Sequence, residues 1–587
     1  MAPSGQEPLL QRHGSENSNE RDIEEEDALL TGQATGKQAP ATSTTRSKWR
    51  EIAVFAWAII ATCAVVVLAV VYQHSKTETP PATPSGKRNL IFMVSDGMGP
   101  TSLALTREWR QYTEQLPWDD TLILDQHLIG QSRTRSTSSL ITDSAAGATA
   151  FSCGQKSYDG AISVLPNFEP CGSVMEAAKR AGYTTGLVVT TRITDATPAV
   201  FASHVRKREM EDEIARQMIG ETHPLGRVVD LMFCGGRCHF LPNTTDGSCR
   251  SDDEDVIATA KDEGWSYISD REQFDNLGTS LDMPFLGLFA EHDFPYEIDR
   301  RDNEGIYPSL AEMTTKALKA LSAATKNEEK GFFVMIEGSR IDHAGHANDP
   351  AAQVHEVLAY DKAMAAVLNF IEDEETPTVM VSTSDHETGG LATARQLHTS
   401  YPEYLWYPGV LANTSRSASN TSHTYHAHIH DASADSEDMK AYLTSLSSEA
   451  LGIHDCSQDE LDVLVENPDA AAYAFADMVS RRAQTGWSTH GHSGADVNIY
   501  TSSPTAAKAL QGNHENTEVG EFLRTYLGLE DEVEKVTKKL KEHLEINAGE
   551  SWLGPVPAQD ERLDGQDHVD HYHGDHKHKK RCDVCGA

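Results

Sequence analysis

The sequence is short of positive charge, of internal repeats and of long apolar runs, and each shortage removes a class of protein. Across 587 residues Asp and Glu outnumber Lys and Arg by 89 to 50, a formal net charge of -39. That balance excludes a chain-wide surface for nucleic acid or anionic lipid, so any anionic substrate has to be attracted locally. No segment repeats at a fixed period, which sets solenoid and propeller architectures aside. One apolar run is long: Ile52 to Tyr72 holds about 21 residues without a charge, close to the roughly 20 that an α-helix needs to cross a bilayer. About 50 polar residues precede it and it exceeds the roughly 7–15 apolar residues of a signal-peptide core, so an uncleaved transmembrane helix fits better than a cleaved leader.

Arg46, Lys48 and Arg50 flank that segment on one side and Lys76 alone on the other, which predicts a cytosolic N-terminus and a luminal remainder, a single-pass type II arrangement. The acceptor sequons at Asn243, Asn413 and Asn420 all fall on the luminal side. Of nine cysteines, Cys63 lies inside the span. On the oxidising side Cys153 with Cys171, and either Cys234 or Cys238 with Cys249, are candidate bridges.

Residues 1–51 are polar and poor in aromatics, as expected of a disordered tail. Within them Glu25-Glu26-Asp27-Ala28-Leu29-Leu30 has the form of an acidic dileucine sorting signal, with Glu7-Pro8-Leu9-Leu10 a weaker copy. A linker over 73–87 leads into a catalytic domain over 88–550. There short apolar runs alternate with helical patterns, predicting an α/β, three-layer sandwich with a mainly parallel central sheet. Expected strands are Asn89–Val94, Tyr183–Thr190, Gly331–Ile336, Thr378–Ser382 and Val497–Tyr500. A helix is expected over Pro350 to Glu372, with Val354, Leu358, Ala365 and Leu368 facing the core. Polar, Ser-rich residues 396–484 form an insertion, and 551–587 an Asp-, His- and Lys-rich tail without apolar periodicity, read as disordered and removable.

Ligands gather beyond the carboxyl ends of parallel strands, so Asp96, Glu337 and Asp385 should project into one crevice. Asp96 lies in Ser95-Asp96-Gly97-Met98-Gly99, whose glycines allow a tight turn. In Glu337-Gly338-Ser339-Arg340-Ile341-Asp342-His343-Ala344-Gly345-His346 an acid after a strand is followed by Asp342 and His346 four apart, a spacing that suits zinc. Ser384-Asp385-His386-Glu387-Thr388-Gly389-Gly390 offers adjacent carboxylate and imidazole, and His490 and His492 form a third cluster. Thr142-Asp143-Ser144-Ala145-Ala146-Gly147-Ala148-Thr149 places a serine before a run of tiny residues. A nucleophile at a helix start and a plain helix cap read equally well there.

These blocks, in this order over residues 88–395 and 485–527, resemble the alkaline phosphatase family, the fungal vacuolar enzymes in particular. The resemblance implies two zinc ions and one magnesium ion, with Ser144 as the nucleophile that becomes phosphorylated. It implies Asp342, His346 and His492 on the first zinc, and Asp385 and His386, with Asp96 bridging, on the second. Asp96, Thr197 and Glu337 would take magnesium, Asp195 would contact its water shell, and Arg208 would grip the non-transferring phosphate oxygens. Asp195 stands where animal members often have histidine, and His343 where some bacterial members carry lysine, so metal preference and turnover are open. Also implied are small phosphomonoester substrates and phosphopeptides, a homodimer, a sorting adaptor reading the dileucine, and the vacuolar membrane with the catalytic domain in the lumen. A phosphodiesterase or sulfatase on the same architecture is the rival enzyme. A metal-binding glycoprotein without catalysis, resting on the His423–His430 and His568–His578 stretches, is the rival of another class.

Overall fold

The structure, a computed structural model, describes residues 52–67, 86–431, 436–546 and 552–558. Its strands are β1 (Asn89–Val94), β2 (Leu128–Arg133), β3 (Thr184–Arg192), β4 (Leu231–Gly235), β5 (Ser266–Ile268), β6 (Phe285–Leu288), β7 (Phe332–Glu337), β8 (Thr378–Thr383), β9 (Glu387–Thr388), β10 (His492–Ser493), β11 (Val497–Thr501) and β12 (Gly512–Glu515). Ten of them form one sheet in the order β12-β2-β11-β8-β1-β7-β3-β4-β6-β5. Only β11 runs antiparallel, to both of its neighbours, β2 and β8.

The continuous apolar runs have a simple cause. In β1 the side chains of Leu90, Phe92 and Val94 enter one core while Ile91 and Met93 enter the other, so every residue has to be apolar. Phe333 and Met335 of β7 join the first core, and Phe332, Val334 and Ile336 the second. Helices Ser144–Cys153, Ala196–Ala202 and Asn516–Leu527 cover one face, and Leu310–Thr325 and Pro350–Asp373 the other. The expected three-layer arrangement and the five expected strands are present, each within two residues of the expected ends. The strands that the sequence did not betray include the edge pair β2 and β12, whose mixed or polar residues leave no apolar run to read.

The Pro350–Asp373 helix is where it was expected, and its core-facing stripe is the expected one in part. Val357, Tyr360, Met364 and Val367 face the sheet with the expected Leu358 and Leu368 packed alongside, whereas Val354 packs with the helices of the 396–484 insertion, which Leu358 also touches. A helix covered on two sides has two apolar stripes, and a single-face reading mixes them. The insertion itself is helical and brings its own core, including Leu411, Tyr425, Leu443, Leu464 and Phe475. Disulfides join Cys153 to Cys171 and Cys238 to Cys249. Cys234 stays a free, buried thiol because it sits on β4 inside the core.

At the N-terminal end the expected span is described only in part, and at the C-terminal end one expectation changes. Ile52–Val67 is helical, but among the described residues no helix is long and apolar enough to cross a membrane, and 68–72 lie outside them. Outside them too are residues 1–51 with both dileucine sequences, most of the linker, and the tail beyond 558 with His568–His578. The tail is not featureless throughout: Leu553 is fully buried against Ala161 and Val164, with Trp552 and Tyr158 packed alongside, because the pair Trp552-Leu553 supplies apolar surface that the composition of the tail conceals.

The helix carrying Ser144 is pressed against Asn516–Leu527 at Gly520, where a Cβ would stand 2.4 Å from the Ala150 carbonyl oxygen and 2.7 Å from that of Phe151. Gly520→Val should therefore lower stability by about 1–3 kcal/mol through overpacking, read as an earlier urea or thermal midpoint; an unchanged midpoint would refute the close crossing.

Candidate active site

The neighbouring strands β8, β1 and β7 end at one edge of the sheet, and each delivers an acid there: Asp385 and Asp96 two residues beyond β8 and β1, Glu337 as the last residue of β7. All three are buried, and Asp96 Oδ1, Glu337 Oε2 and Asp385 Oδ2 have no hydrogen-bond partner among the described residues. Burial first, and then the neighbouring Asp385 and Asp342, push Asp96 well above the usual carboxylate range; burial chiefly raises Glu337 as well, and Asp385 to about 7. Orphaned anionic oxygens in a water-poor pocket are expensive unless a cation meets them, and an all-oxygen set suits magnesium. The Thr197 hydroxyl completes that set, donating to Asp96 Oδ2 at 3.0 Å.

Beside it lie two nitrogen-containing clusters. The ligand atoms of Asp342, His346 and His492 lie within 4.8 Å of one another, as do those of Asp96, Asp342 and His386. His346 Nε2 is 3.3 Å from Asp342 Oδ2 and 3.1 Å from His492 Nε2, and His386 Nε2 is 3.2 Å from Asp385 Oδ2. The outer nitrogens fix the tautomers. His492 Nδ1 donates to the Thr142 carbonyl oxygen at 2.7 Å and His346 Nδ1 to that of His490. Thr388 Oγ1 donates to Asp342 and so accepts from His386 Nδ1 at 3.2 Å. Each ring thereby turns an Nε2 lone pair inward, the arrangement that zinc ligation requires. Burial opposes it, but Asp342 holds His346 protonated up to about 9 in the absence of a cation. Burial and His492 push His386 far down.

Ser144 opens the Ser144–Cys153 helix, and its Oγ is 3.0 Å from His386 Nε2. The cap is Asp143, which accepts from the Ala146 amide at 2.9 Å, so the serine hydroxyl is not used as the helix cap. Its tiny residues let the helix approach the metal loops: a Cβ on Gly147 would lie 3.1 Å from the Asp385 carbonyl oxygen. Gly97 is stricter, with φ +76° and only 2.5 Å between a built Cβ and Asp342 Cα.

Arg208 donates to Asp143 Oδ2 at 3.3 Å and to Asp195 Oδ1 at 2.9 Å. Burial opposes it, but Arg192 and Arg208 hold Asp195 ionised well below the usual carboxylate range, and Asp195 has no orphaned oxygen among the described residues. The structure thus brings together Ser144, Arg208, Asp96, Asp195, Thr197, Glu337, Asp342, His346, Asp385, His386 and His492, and engages Asp195 chiefly with arginine. His490 contributes its backbone to His346. His423 and His430 are exposed positions of an amphipathic helix packed through Tyr425. Sequence reasoning missed three supports. Asp143 and Thr388 were inside motifs already singled out. Arg192, which pairs with Glu211 and Asp293 at 2.9 Å each, had no motif to mark it.

Comparison with known proteins identifies the family of the chain. The family model for alkaline phosphatase matches residues 87–529. The repressible alkaline phosphatase of Saccharomyces cerevisiae is 52% identical over 488 residues, 79% of this chain and 86% of that protein. The alkaline phosphatase of Schizosaccharomyces pombe is 42% identical over 525 residues, 88% of this chain and 94% of that protein. Among solved structures, the cold-active enzyme from a psychrophilic Shewanella superposes with a TM-score of 0.62 at 31% identity, covering 75% of this chain and 99% of that one. The Thermus thermophilus alkaline phosphatase gives a TM-score of 0.65 at 26% identity, over 78% of this chain and 96% of that one. The chain belongs to the alkaline phosphatase family, the metal-dependent hydrolases of phosphate monoesters.

Proposed function

We propose that the protein hydrolyses small phosphate monoesters and phosphopeptides through a phosphoserine at Ser144, with two zinc ions and one magnesium ion per chain. The observation that carries this reading is the 3.0 Å approach of Ser144 Oγ to His386 Nε2 at a helix start, beside orphaned carboxylates and a guanidinium. Asp342, His346 and His492 would hold one zinc, Asp385 and His386 with Asp96 the other, and Asp96, Thr197 and Glu337 the magnesium, with Asp195 toward its water shell. When bound, these cations supply Lewis acidity that favours the serine alkoxide and the departing oxygen.

The chain does the positioning. Arg208, its fork aimed by Asp143 and Asp195, takes two non-transferring oxygens of the dianion and presents phosphorus to Ser144 Oγ. The Ser144 oxygen forms the new P–O bond as the bond to the alcohol breaks; water then cleaves the phosphoserine, and two inversions leave net retention. The first amides of the Ser144–Cys153 helix favour negative charge at that oxygen. A diester lacks the second anionic oxygen that the fork is built to grip, which disfavours the phosphodiesterase reading.

Ser144→Ala should abolish trapping of a labelled phosphoenzyme at acidic pH while elemental analysis still finds two zinc and one magnesium per chain; undiminished labelling would mean another nucleophile. Arg208→Ala should raise KM for an aryl monoester roughly 10- to 100-fold, the loss of about 1.5–3 kcal/mol in charge-assisted hydrogen bonds, with little change for its methyl diester. Equal effects on both substrates would remove the arginine from phosphate recognition.

We further propose that Ile52–Tyr72 anchors a homodimer in the vacuolar membrane with the catalytic domain luminal, addressed by an adaptor at Leu29-Leu30 and glycosylated at Asn243, Asn413 and Asn420. The charge asymmetry around the apolar run and the exposure of Asn243 and Asn413 support it. The full chain should stay in the pellet on alkaline carbonate extraction and shift in mass with a glycosidase, and replacing Leu29 and Leu30 with alanine should misdirect it. Release into the supernatant would dispose of the anchor.

A further inference from the structure

Arg208 reaches the site from a stretch, residues 203–209, that contains no helix or regular strand. Its own backbone is tied to the neighbouring loop, the Arg208 amide donating to the Gly160 carbonyl at 2.8 Å and Val205 bridging Ile162. Two further devices hold it, and neither touches the reacting atoms.

The first is a buried cluster. His204 places Nδ1 3.0 Å from the Ser163 carbonyl oxygen and Nε2 2.9 Å from Glu176 Oε1, so both ring nitrogens face acceptors and the ring has to carry both protons. His223 Nδ1 accepts from the Leu225 amide at 3.1 Å, which leaves its proton on Nε2, 3.1 Å from the same Glu176 oxygen. That tautomer opposes a metal ion, which would need the His223 Nε2 lone pair, and leaves the cluster an ion pair between His204 and Glu176, with His223 Nε2 near the carboxylate but without a hydrogen bond among the described residues. Burial opposes it, but Glu176 raises His204 and His204 and His223 keep Glu176 well below the usual carboxylate range.

The second is the strap formed by Trp552, Leu553 and Gly554. The Leu553 carbonyl accepts from the Arg206 amide at 2.9 Å and the Gly554 carbonyl from Arg206 Nη1 at 2.6 Å. The Trp552 carbonyl accepts from Gln217 Nε2 at 3.2 Å, and Gln217 grips both the amide and the carbonyl of His204. The Trp552 ring stands edge-on to His204 at 5.6 Å, and Leu553 is fully buried beneath. A segment some 345 residues downstream of Arg208 therefore holds the backbone that carries it.

We infer that the Trp552–Gly554 strap, working with the Glu176–His204–His223 cluster, is a positioning element for substrate phosphate: it clamps the 203–208 backbone so that the Arg208 fork stays aimed beside Ser144. The inference rests on the assignment of Arg208 under the proposed function. A fork aimed by Asp143 and Asp195 grips two oxygens only while its backbone keeps its distance from the serine, and freedom of an ångström at that backbone weakens ground-state and product binding alike.

The test is a double-mutant cycle in the full chain between Leu553→Asp, which expels the strap, and Arg208→Ala. Leu553→Asp should raise KM for an aryl monoester and the inhibition constant of inorganic phosphate together, on the order of tenfold, within what ångström-scale displacement of a positioning group causes. Bound zinc and kcat should be unchanged, and Leu553→Ala should move the same constants less. In the Arg208→Ala background, Leu553→Asp should add nothing. An equal effect in that background, a joint loss of kcat and zinc, or an unchanged KM in both Leu553 variants would overturn the inference while leaving the arginine assignment intact. If Arg208→Ala alone left KM and phosphate inhibition unchanged, the arginine assignment would fail and this inference with it. Should Leu553→Asp not fold, Leu553→Ala completes the cycle with the same outcomes.

Discussion

Mutual repulsion among buried carboxylates is the constraint on which the rest of the site depends. Asp96, Glu337 and Asp385 arrive from three neighbouring strands, and each aims an oxygen without a hydrogen-bond partner among the described residues into the same interior space. Left alone, such a set favours partial protonation, because burial first and then the neighbouring acids push all three above the usual carboxylate range. Bringing them together is stable only because the sheet that carries them is secured on both faces by apolar cores, and the repulsion is offset when cations occupy the space. The stability of the scaffold thus holds a polar arrangement that its own electrostatics opposes, which is a common condition of catalytic sites.

The same logic accounts for the division of labour among charged groups. Acids with orphaned oxygens face a shared interior space, whereas Asp143 and Asp195 have guanidinium partners and aim Arg208. Arg192 in turn reaches Asp195, Glu211 and Asp293, so the positive charge beside the serine is embedded in a network of acids. In a chain with net charge -39, attraction for a phosphate dianion cannot come from the general field. It has to come from this short-range arginine pair, from helix-start amides and from bound cations, all of which act strongly only where water is scarce.

Close approach is the other requirement, and it falls on small residues. The Ser144 helix reaches the Asp385 loop at Gly147 and the Asn516–Leu527 helix at Gly520, and the Asp96 loop reaches Asp342 at Gly97. At Gly97 the left-handed backbone and the lack of space both require glycine. Side chains from segments hundreds of residues apart can then converge within hydrogen-bonding distance, as Ser144 Oγ and His386 Nε2 do.

Local order was legible in the chain wherever one physical demand controlled it. A central parallel strand is buried on both faces, so β1, β7 and β8 carry near-continuous apolar runs, with an acid at or just beyond each carboxyl end; hence both the strands and their candidate ligands could be read. The spacing of Asp342 and His346 and the adjacency of Asp385 and His386 marked them as candidate ligands in the same direct way, and the resemblance they support implied the roles proposed for Ser144 and Arg208. What tertiary structure alone decided concerns residues that meet from distant segments. Whether Cys234 or Cys238 pairs with Cys249 depends on which one lies inside the core. The two stripes of the Pro350–Asp373 helix are set by having a sheet on one side and the insertion on the other. That Asp195 serves arginine, that Thr388 orients His386, and that Leu553 of an apparently featureless tail holds the arginine segment are facts of contact. Periodicity reports the environment of one element at a time, and contacts between distant elements leave no period to read.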